Sequence, residues 1–296
     1  MKGLELVEKN FYENILPILR QYDIKISAGL VGYGSECYGF DDDYSRDHDF
    51  SSMPCIWLTK EDYEKYADEL REKIYNEFYE KTKTVWSNDR RGILNVDDFI
   101  YTFLGSTTGP KKDEDYLNIP EYLLSSFTNG KIFIDEIGII TKVRENVKYY
   151  PRDVRYNRIA TRCMNASREG LYNYERCVKR NDLVASNQAL SKFIEETIEL
   201  YYLIHKKYCP YYKWYHKMLK TFDEKAYEFY LKLLDRNSTI NDKFNIIEKI
   251  CSDIIDKLES EEIIVRVSDY LGYYGPIIQS RIDNDYIHDL GFWSDK

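Results

Sequence analysis

The hydrophobic pattern of this chain changes character once, and that change limits the fold more than any other feature. Up to about residue 139 short β-like runs alternate with helical spacings; beyond it only helical spacings remain. In residues 4–21, Leu4, Val7, Phe11, Ile15 and Leu19 recur at helical intervals, with Pro17 placed to end or kink the helix. IKISAGLVGY (24–33) reads as a strand running into Gly34, and DFSSMPCIWL (49–58) as a second strand interrupted by Pro54. A helix over 60–82 follows, with Thr59 as N-cap and Asp62 three residues on, a capping-box variant. GILNV (92–96) predicts a third strand, Asp97 a cap for the short helix DDFIYTFLG, and GKIFIDEIG (130–138) a fourth strand. Residues 152–181, 182–207, 224–235 and 240–260 read as amphipathic helices; in the second, Leu183, Leu190, Phe193, Ile194, Ile198, Tyr201 and Leu203 share the apolar spacing. The class is therefore α+β: a mixed sheet with flanking helices in residues 1–148, then an all-α bundle in 149–296, with the seam at Tyr149-Tyr150-Pro151. No low-complexity linker separates the halves, so a ligand cleft between them is expected.

At 296 residues, with 43% hydrophobic and 31% charged positions, the chain can bury a substantial core. No apolar run approaches the length of a membrane span, and the N-terminus, interrupted by Glu5, Glu8 and Glu13, lacks a signal-peptide core; a cytoplasmic protein without a membrane partner is expected. A net charge of −9 and a pI near 5.2 argue against nucleic acid as partner, but not against a nucleotide, whose phosphates need only metal ions and a few cations. The six cysteines are scattered with no C-x-x-C pair, which reads as reduced thiols without a zinc site.

The chemistry concentrates in GYGSECYGFDDDYSRDHDF, Gly32 to Phe50, which places seven acids or histidines behind a glycine turn. Asp47 and Asp49 alternate into the second strand, so they share a face with Cα atoms about 7 Å apart. Two like charges at that spacing repel unless a cation lies between them, and an all-oxygen ligand pair favours Mg²⁺ or Mn²⁺. His48 falls on the opposite face. After the first strand, Gly34 lets backbone approach a ligand, and Ser35 with neighbouring N–H groups can hold phosphate oxygens. A lone D-x-D is common on surfaces and a lone Gly-Ser is uninformative. Strand, Gly-Ser, Gly39, Ser45 and Asp47-x-Asp49 entering a second strand make a stronger joint pattern.

That stretch resembles the signature of the nucleotidyltransferase fold shared with DNA polymerase beta, with Arg46 inserted between Ser45 and Asp47. Together with CIWLTKEDY, YYPRDVRYNRIATRC, LYNYERCVKRND and PYYKWYHK it resembles an uncharacterised bacterial family of stand-alone nucleotidyltransferase-like proteins with a helical C-terminal half, known only as a domain of unknown function. The resemblance implies a small mixed sheet with flanking helices and a bundle closing a nucleotide cleft. It implies that Gly34 and Ser35 hold the triphosphate, that Asp47 and Asp49 hold two metal ions, and that an acceptor attacks the α-phosphate. The superfamily adds a third carboxylate from a nearby strand; Asp97 is the candidate, a plain helix cap being its alternative, and Asp135 ranks behind it.

In the helical half, Lys213 sits among Tyr211, Tyr212, Trp214 and Tyr215, where it could reach a phosphate or simply snorkel to water. Arg176, Lys179 and Arg180 offer further phosphate ligands or an ordinary solvated face. Glu36 and Asp41–Asp43 exceed what two metal ions need; they suit a cationic acceptor or an acidic loop. The expected activity is metal-dependent transfer of an NMP group, from ATP or another nucleoside triphosphate, to a hydroxyl of a small molecule or protein. The alternative is a nucleotide-binding regulatory or interaction protein, including a toxin–antitoxin or defence partner, with little turnover.

Overall fold

The computed structural model describes residues 3–42, 53–78 and 90–292. They form two compact units: residues 1–111 with 119–148, and residues 112–118 with 149–296. The first unit is built on a four-stranded mixed sheet of order β3-β2-β1-β4, with β1 Ser27–Leu30, β2 Cys55–Leu58, β3 Gly92–Asn95 and β4 Lys131–Asp135. β1 runs antiparallel to both β2 and β4, pairing Ala28 with Ile56 and with Ile134, while β2 and β3 run parallel, Ile56 opposite Ile93. β1 is shorter than the apolar run predicts because the chain turns out of extended geometry at Gly32 and Gly34, both at positive φ. β2 begins only after Pro54, which has no N–H to give to a ladder.

The helices of this unit are α1 Gly3–Asn10, α2 Lys60–Phe78, α3 Val96–Leu104, α4 Glu121–Thr128 and α5 Ile139–Asn146. The first continues past Asn10 as a wider π-turn, Phe11–Ile15, before closing as Leu16–Leu19. Pro17 explains the widening: its ring would meet the carbonyl four residues back, and the loosened turn, with the Leu16 N–H donating to Phe11 O, avoids that. Thr59 caps α2 as expected, its Oγ1 accepting from the Asp62 N–H at 3.2 Å. The cap of α3 is Asn95, not Asp97: Asn95 Oδ1 accepts from the N–H groups of Asp97 and Asp98.

Both faces of the sheet are covered, so β1 and β2 are buried throughout. Ile56, Leu58 and Ile93 pack with Phe11, Ile15, Leu19, Leu70 and Ile74 on one side. Trp57 points the other way and meets Phe99 edge-on at 5.0 Å, with Phe103 and Phe127 behind it. Each such side chain contributes about 1.5–3 kcal/mol by burial. Exposed pairs such as Lys148–Glu145 contribute at most ~1 kcal/mol. Apolar burial therefore holds the layers, and no described helix is long and apolar enough to cross a membrane.

The second unit is helical among its described residues: α6 Arg152–Ala166, α7 Tyr174–Lys179, α8 Leu183–Ile204, α9 Tyr212–Leu219, α10 Glu224–Leu233, α11 Ile240–Ser260, α12 Tyr274–Gln279 and α13 Asp285–Asp289. A π-turn, Ser167–Asn173, joins α6 to α7, and there a Cβ on Gly170 would stand 2.3 Å from the Phe193 ring. Glycine thus lets α8 approach. Asp182, Asp223 and Thr239 cap α8, α10 and α11 through their side-chain oxygens. Leu183, read as part of the apolar stripe of α8, lies in its first turn and is exposed, while Phe193, Ile198, Tyr201 and Leu203 are buried. The α8 carbonyls of Leu203 and Ile204 accept from buried Arg155 at 2.8 and 2.9 Å, which satisfies the free end of the helix.

Asp223 does more than cap. His205 Nε2 lies 3.0 Å from it, Lys257 Nζ 3.1 Å, and the Ala226 N–H donates at 3.0 Å. Burial alone would raise its pKa, but these partners outweigh burial and depress it to about 2. A carboxylate depressed on folding stabilises the fold fully above its unfolded pKa, about 3.9. That contribution is lost as pH falls through about 2. Wild type should therefore exceed Asp223→Asn in urea midpoint at neutral pH, with the gap closing from about pH 4 downward. A gap constant over that range would show that the carboxylate charge is not what stabilises.

Candidate functional site

The sheet topology delivers three pieces of chain to one end. β1 is antiparallel to β2, and β2 is parallel to β3, so the chain leaves β1 where it enters β2 and β3; Gly29 stands opposite Cys55, and Cys55 opposite Gly92. The exit from β1 is the glycine turn. Gly32 has φ +107° and a Cβ there would lie 3.1 Å from the Phe103 ring; Gly34 has φ +114° and a Cβ there would lie 2.6 Å from the Glu36 carboxylate. Glycine is required at both by backbone and by space.

What fixes the turn is Arg91, the residue before β3. Its guanidinium pairs with Glu36 at 2.9 Å, the two side chains being 6% and 5% exposed. It also donates to the carbonyls of Tyr33 at 2.6 Å and Val31 at 3.3 Å, and lies 3.2 Å from Cys37 Sγ. One arginine thus holds the carbonyls of the turn, the carboxylate behind it and the start of β3. Burial would lower its pKa, but Cys37, Cys55 and Glu36 around it turn the net direction upward. Burial pushes the Cys37 thiol up to about 12 and raises Cys55 as well, so neither is a nucleophile at neutral pH.

Two acids of the expected surplus, and the lower-ranked third-carboxylate candidate Asp135, have assigned partners. Glu36 is the partner of Arg91, not a ligand for a cationic acceptor. Asp41 Oδ2 accepts from the Gly3 N–H at 2.9 Å, at the start of α1. Asp135, at the end of edge strand β4, accepts from Ser27 Oγ and from the N–H groups of Gly138 and Thr141, the last two at 2.8 Å. Burial would raise its pKa, yet these bonds lower it, so it is an ionised anchor for the turn into α5. Among the described residues no three His, Cys, Asp or Glu side chains form a metal cluster.

A cavity of about 290 Å³ opens beside the turn, lined by Gly32, Tyr33, Tyr63, Arg71, Arg90, Asn95 and Asp98, with Phe99 and Phe103 as apolar wall. The Arg90 guanidinium lies over the Tyr33 ring at 4.3 Å, and Arg71 is oriented by donating to Tyr63 Oη at 2.6 Å and Ile93 O at 3.2 Å. Two guanidinium groups, one exposed carboxylate and an aromatic wall suit a planar anionic ligand. Arg71, Arg90 and Arg91 escape a reading by motif; the only signal was an Arg-Arg pair abutting a buried strand.

Of the residues singled out from sequence, Gly34 and Ser35 stand in the turn, Ser35 buried at the head of the short 3-10 turn Ser35–Tyr38. The cavity passes along Gly32 and Tyr33 instead. Asp97 is half-buried in the first turn of α3, next to cavity-lining Asp98. Asp47 and Asp49 lie outside the described residues. Lys179 and Lys213 belong to the helical unit: Lys179 pairs with Glu175 at 2.5 Å, and Lys213 lies over the Trp214 ring at 5.2 Å, both side chains exposed.

Residues 116–215 match the model of a family described as "Domain of unknown function (DUF4037)". The stretches YYPRDVRYNRIATRC and LYNYERCVKRND fall inside that match; the glycine and aspartate signature lies before it. No curated protein matches the chain. Among solved structures it is similar to a nucleotidyltransferase-like protein from Exiguobacterium sibiricum, at 11% identity and a TM-score of 0.37, over 94% of this chain and 81% of that one.

Because Glu36 and Arg91 are both buried, removing either leaves an uncompensated charge. Glu36→Gln and Arg91→Met should each cost about 3–5 kcal/mol in denaturant unfolding, and the double variant much less than their sum. Strict additivity would mean that the two residues act independently.

Proposed function

We propose that the first unit is a metal-dependent nucleotidyltransferase centre that moves an NMP group, with ATP as the preferred donor, to a hydroxyl of a small molecule or protein. The observation that carries this reading is the convergence of chain ends: β1 exits into Gly34-Ser35 where β2 enters. The chain entering β2 carries Asp47-x-Asp49 just upstream. By that D-x-D pattern, Asp47 and Asp49 are the residues that would hold Mg²⁺ or Mn²⁺. When bound, the metal would polarise the phosphates and neutralise charge on the departing pyrophosphate.

Arg71 and Arg90 line the cavity beside the turn and suit the remaining phosphate charge. The acceptor oxygen bonds to the α-phosphorus as the bond to the bridging oxygen of the β-phosphate breaks; pyrophosphate leaves with that electron pair, and the acceptor proton goes to a base. Of the adjacent acids Asp97 and Asp98, the cavity-lining Asp98 is the one we assign to receive it. A second reading, a nucleotide-binding regulator with little turnover, is favoured by β3, whose Gly92–Asn95 carries no carboxylate and whose Asn95 serves as a helix cap.

Pyrophosphate release from ATP and Mg²⁺ with a panel of hydroxyl acceptors tests the reading. Wild type should release pyrophosphate, and Asp47→Asn/Asp49→Asn should lose at least about a hundredfold in rate, as expected when metal-borne charge stabilisation worth several kcal/mol is removed. Equal release by the two proteins would remove the aspartates from the mechanism. Nucleotide binding without release would favour the regulator.

A further inference from the structure

The helical unit contains a cavity of its own, about 340 Å³, which the reaction above does not use. One face of α6 lines it with Arg158, Thr161, Arg162 and Asn165; Glu196 of α8 closes one side, and Asn118 and Tyr286 contribute from other segments of the unit. The back of this wall is fixed. Arg162 pairs with Glu196 at 3.0 Å and with Glu199, and Asn165 Nδ2 donates to Glu196 Oε1 at 3.2 Å. Arg162 is thereby balanced by carboxylates.

Arg158 is not. Its guanidinium lies over the Tyr150 ring at 4.8 Å and forms no ion pair among the described residues. Its Nε is buried without a hydrogen-bond partner, as are Nε of Arg162 and Oδ1 of Asn165, a residue only 5% exposed. Buried polar atoms are almost always paired, so three orphans on one cavity wall point to a ligand that would complete them. The space exceeds a bare phosphate and suits a metabolite of sugar size. We propose that this cavity binds a small organic anion, its oxyanion group seated on Arg158 with help from Thr161, and its hydroxyl groups meeting Asn118, Asn165 and Glu196.

Phosphate esters and carboxylates share this chemistry, and two probes of similar skeleton separate them: ribose 5-phosphate and gluconate, each titrated by calorimetry into the whole protein. One or both should bind saturably, and the one that binds names the oxyanion. Arg158→Met keeps an apolar stem against Tyr150 and should weaken binding about ten- to hundredfold, the worth of hydrogen bonds to a charged group. Thr161→Val, nearly isosteric, should weaken it less, and Asp47→Asn/Asp49→Asn should bind as wild type does, which separates this site from the transfer centre. Absence of binding by both probes at millimolar concentration overturns the proposal. So does binding that survives both Arg158→Met and Thr161→Val, with each variant checked for a native unfolding midpoint.

Discussion

A buried arginine cannot lose its charge, so everything around Arg91 must accommodate a guanidinium sealed from water. Glu36 supplies the counter-charge, and the carbonyls of Val31 and Tyr33 and the sulfurs of Cys37 and Cys55 take further donors. These partners come from the turn that follows β1, while Arg91 stands at the mouth of β3. The pair therefore couples two chain segments that the sheet ladder does not join directly, since β2 lies between β1 and β3. It also dictates glycine at position 34, where any side chain would strike the Glu36 carboxylate. The geometry of the candidate site follows: Gly32 and Tyr33 are presented to a cavity because the residues behind them are tied down.

The sequence pattern made the succession of elements legible because it is governed by local rules. Capping at Thr59, the strands around 28, 56, 93 and 132, and the helical character beyond 139 all follow from periodicity and cap chemistry. What escaped is non-local. Nothing near Glu36 in sequence shows that its partner is Arg91, and nothing near Asp135 shows that Ser27, Gly138 and Thr141 will occupy it. Asp97 reads as a cap because it precedes an apolar run; Asn95 takes that position because β3 ends there and the helix begins at Val96, so the cap falls two residues earlier. The acids therefore looked more available than they are, and the arginines that give the cavity its charge carried no motif.

The helical unit shows the same division. Its helical spacings read directly, whereas segment 112–118, which belongs to it, lies in sequence inside the first unit. That segment contributes Asn118 to a polar cavity whose other walls are α6, α8 and the chain near α13. On one wall of that cavity Arg162 stands in an ion pair with Glu196, while Arg158 lies over the Tyr150 ring.

The central claim is that the chain ends gathered around the glycine turn make a metal–nucleotide site. The most direct test is calorimetric titration of ATP into the whole protein, with Mg²⁺ present and with the metal chelated. Saturable binding that requires the metal and disappears in Asp47→Asn/Asp49→Asn is the predicted result. Binding indifferent to metal and to both aspartates, or no binding of any nucleoside triphosphate, would contradict it.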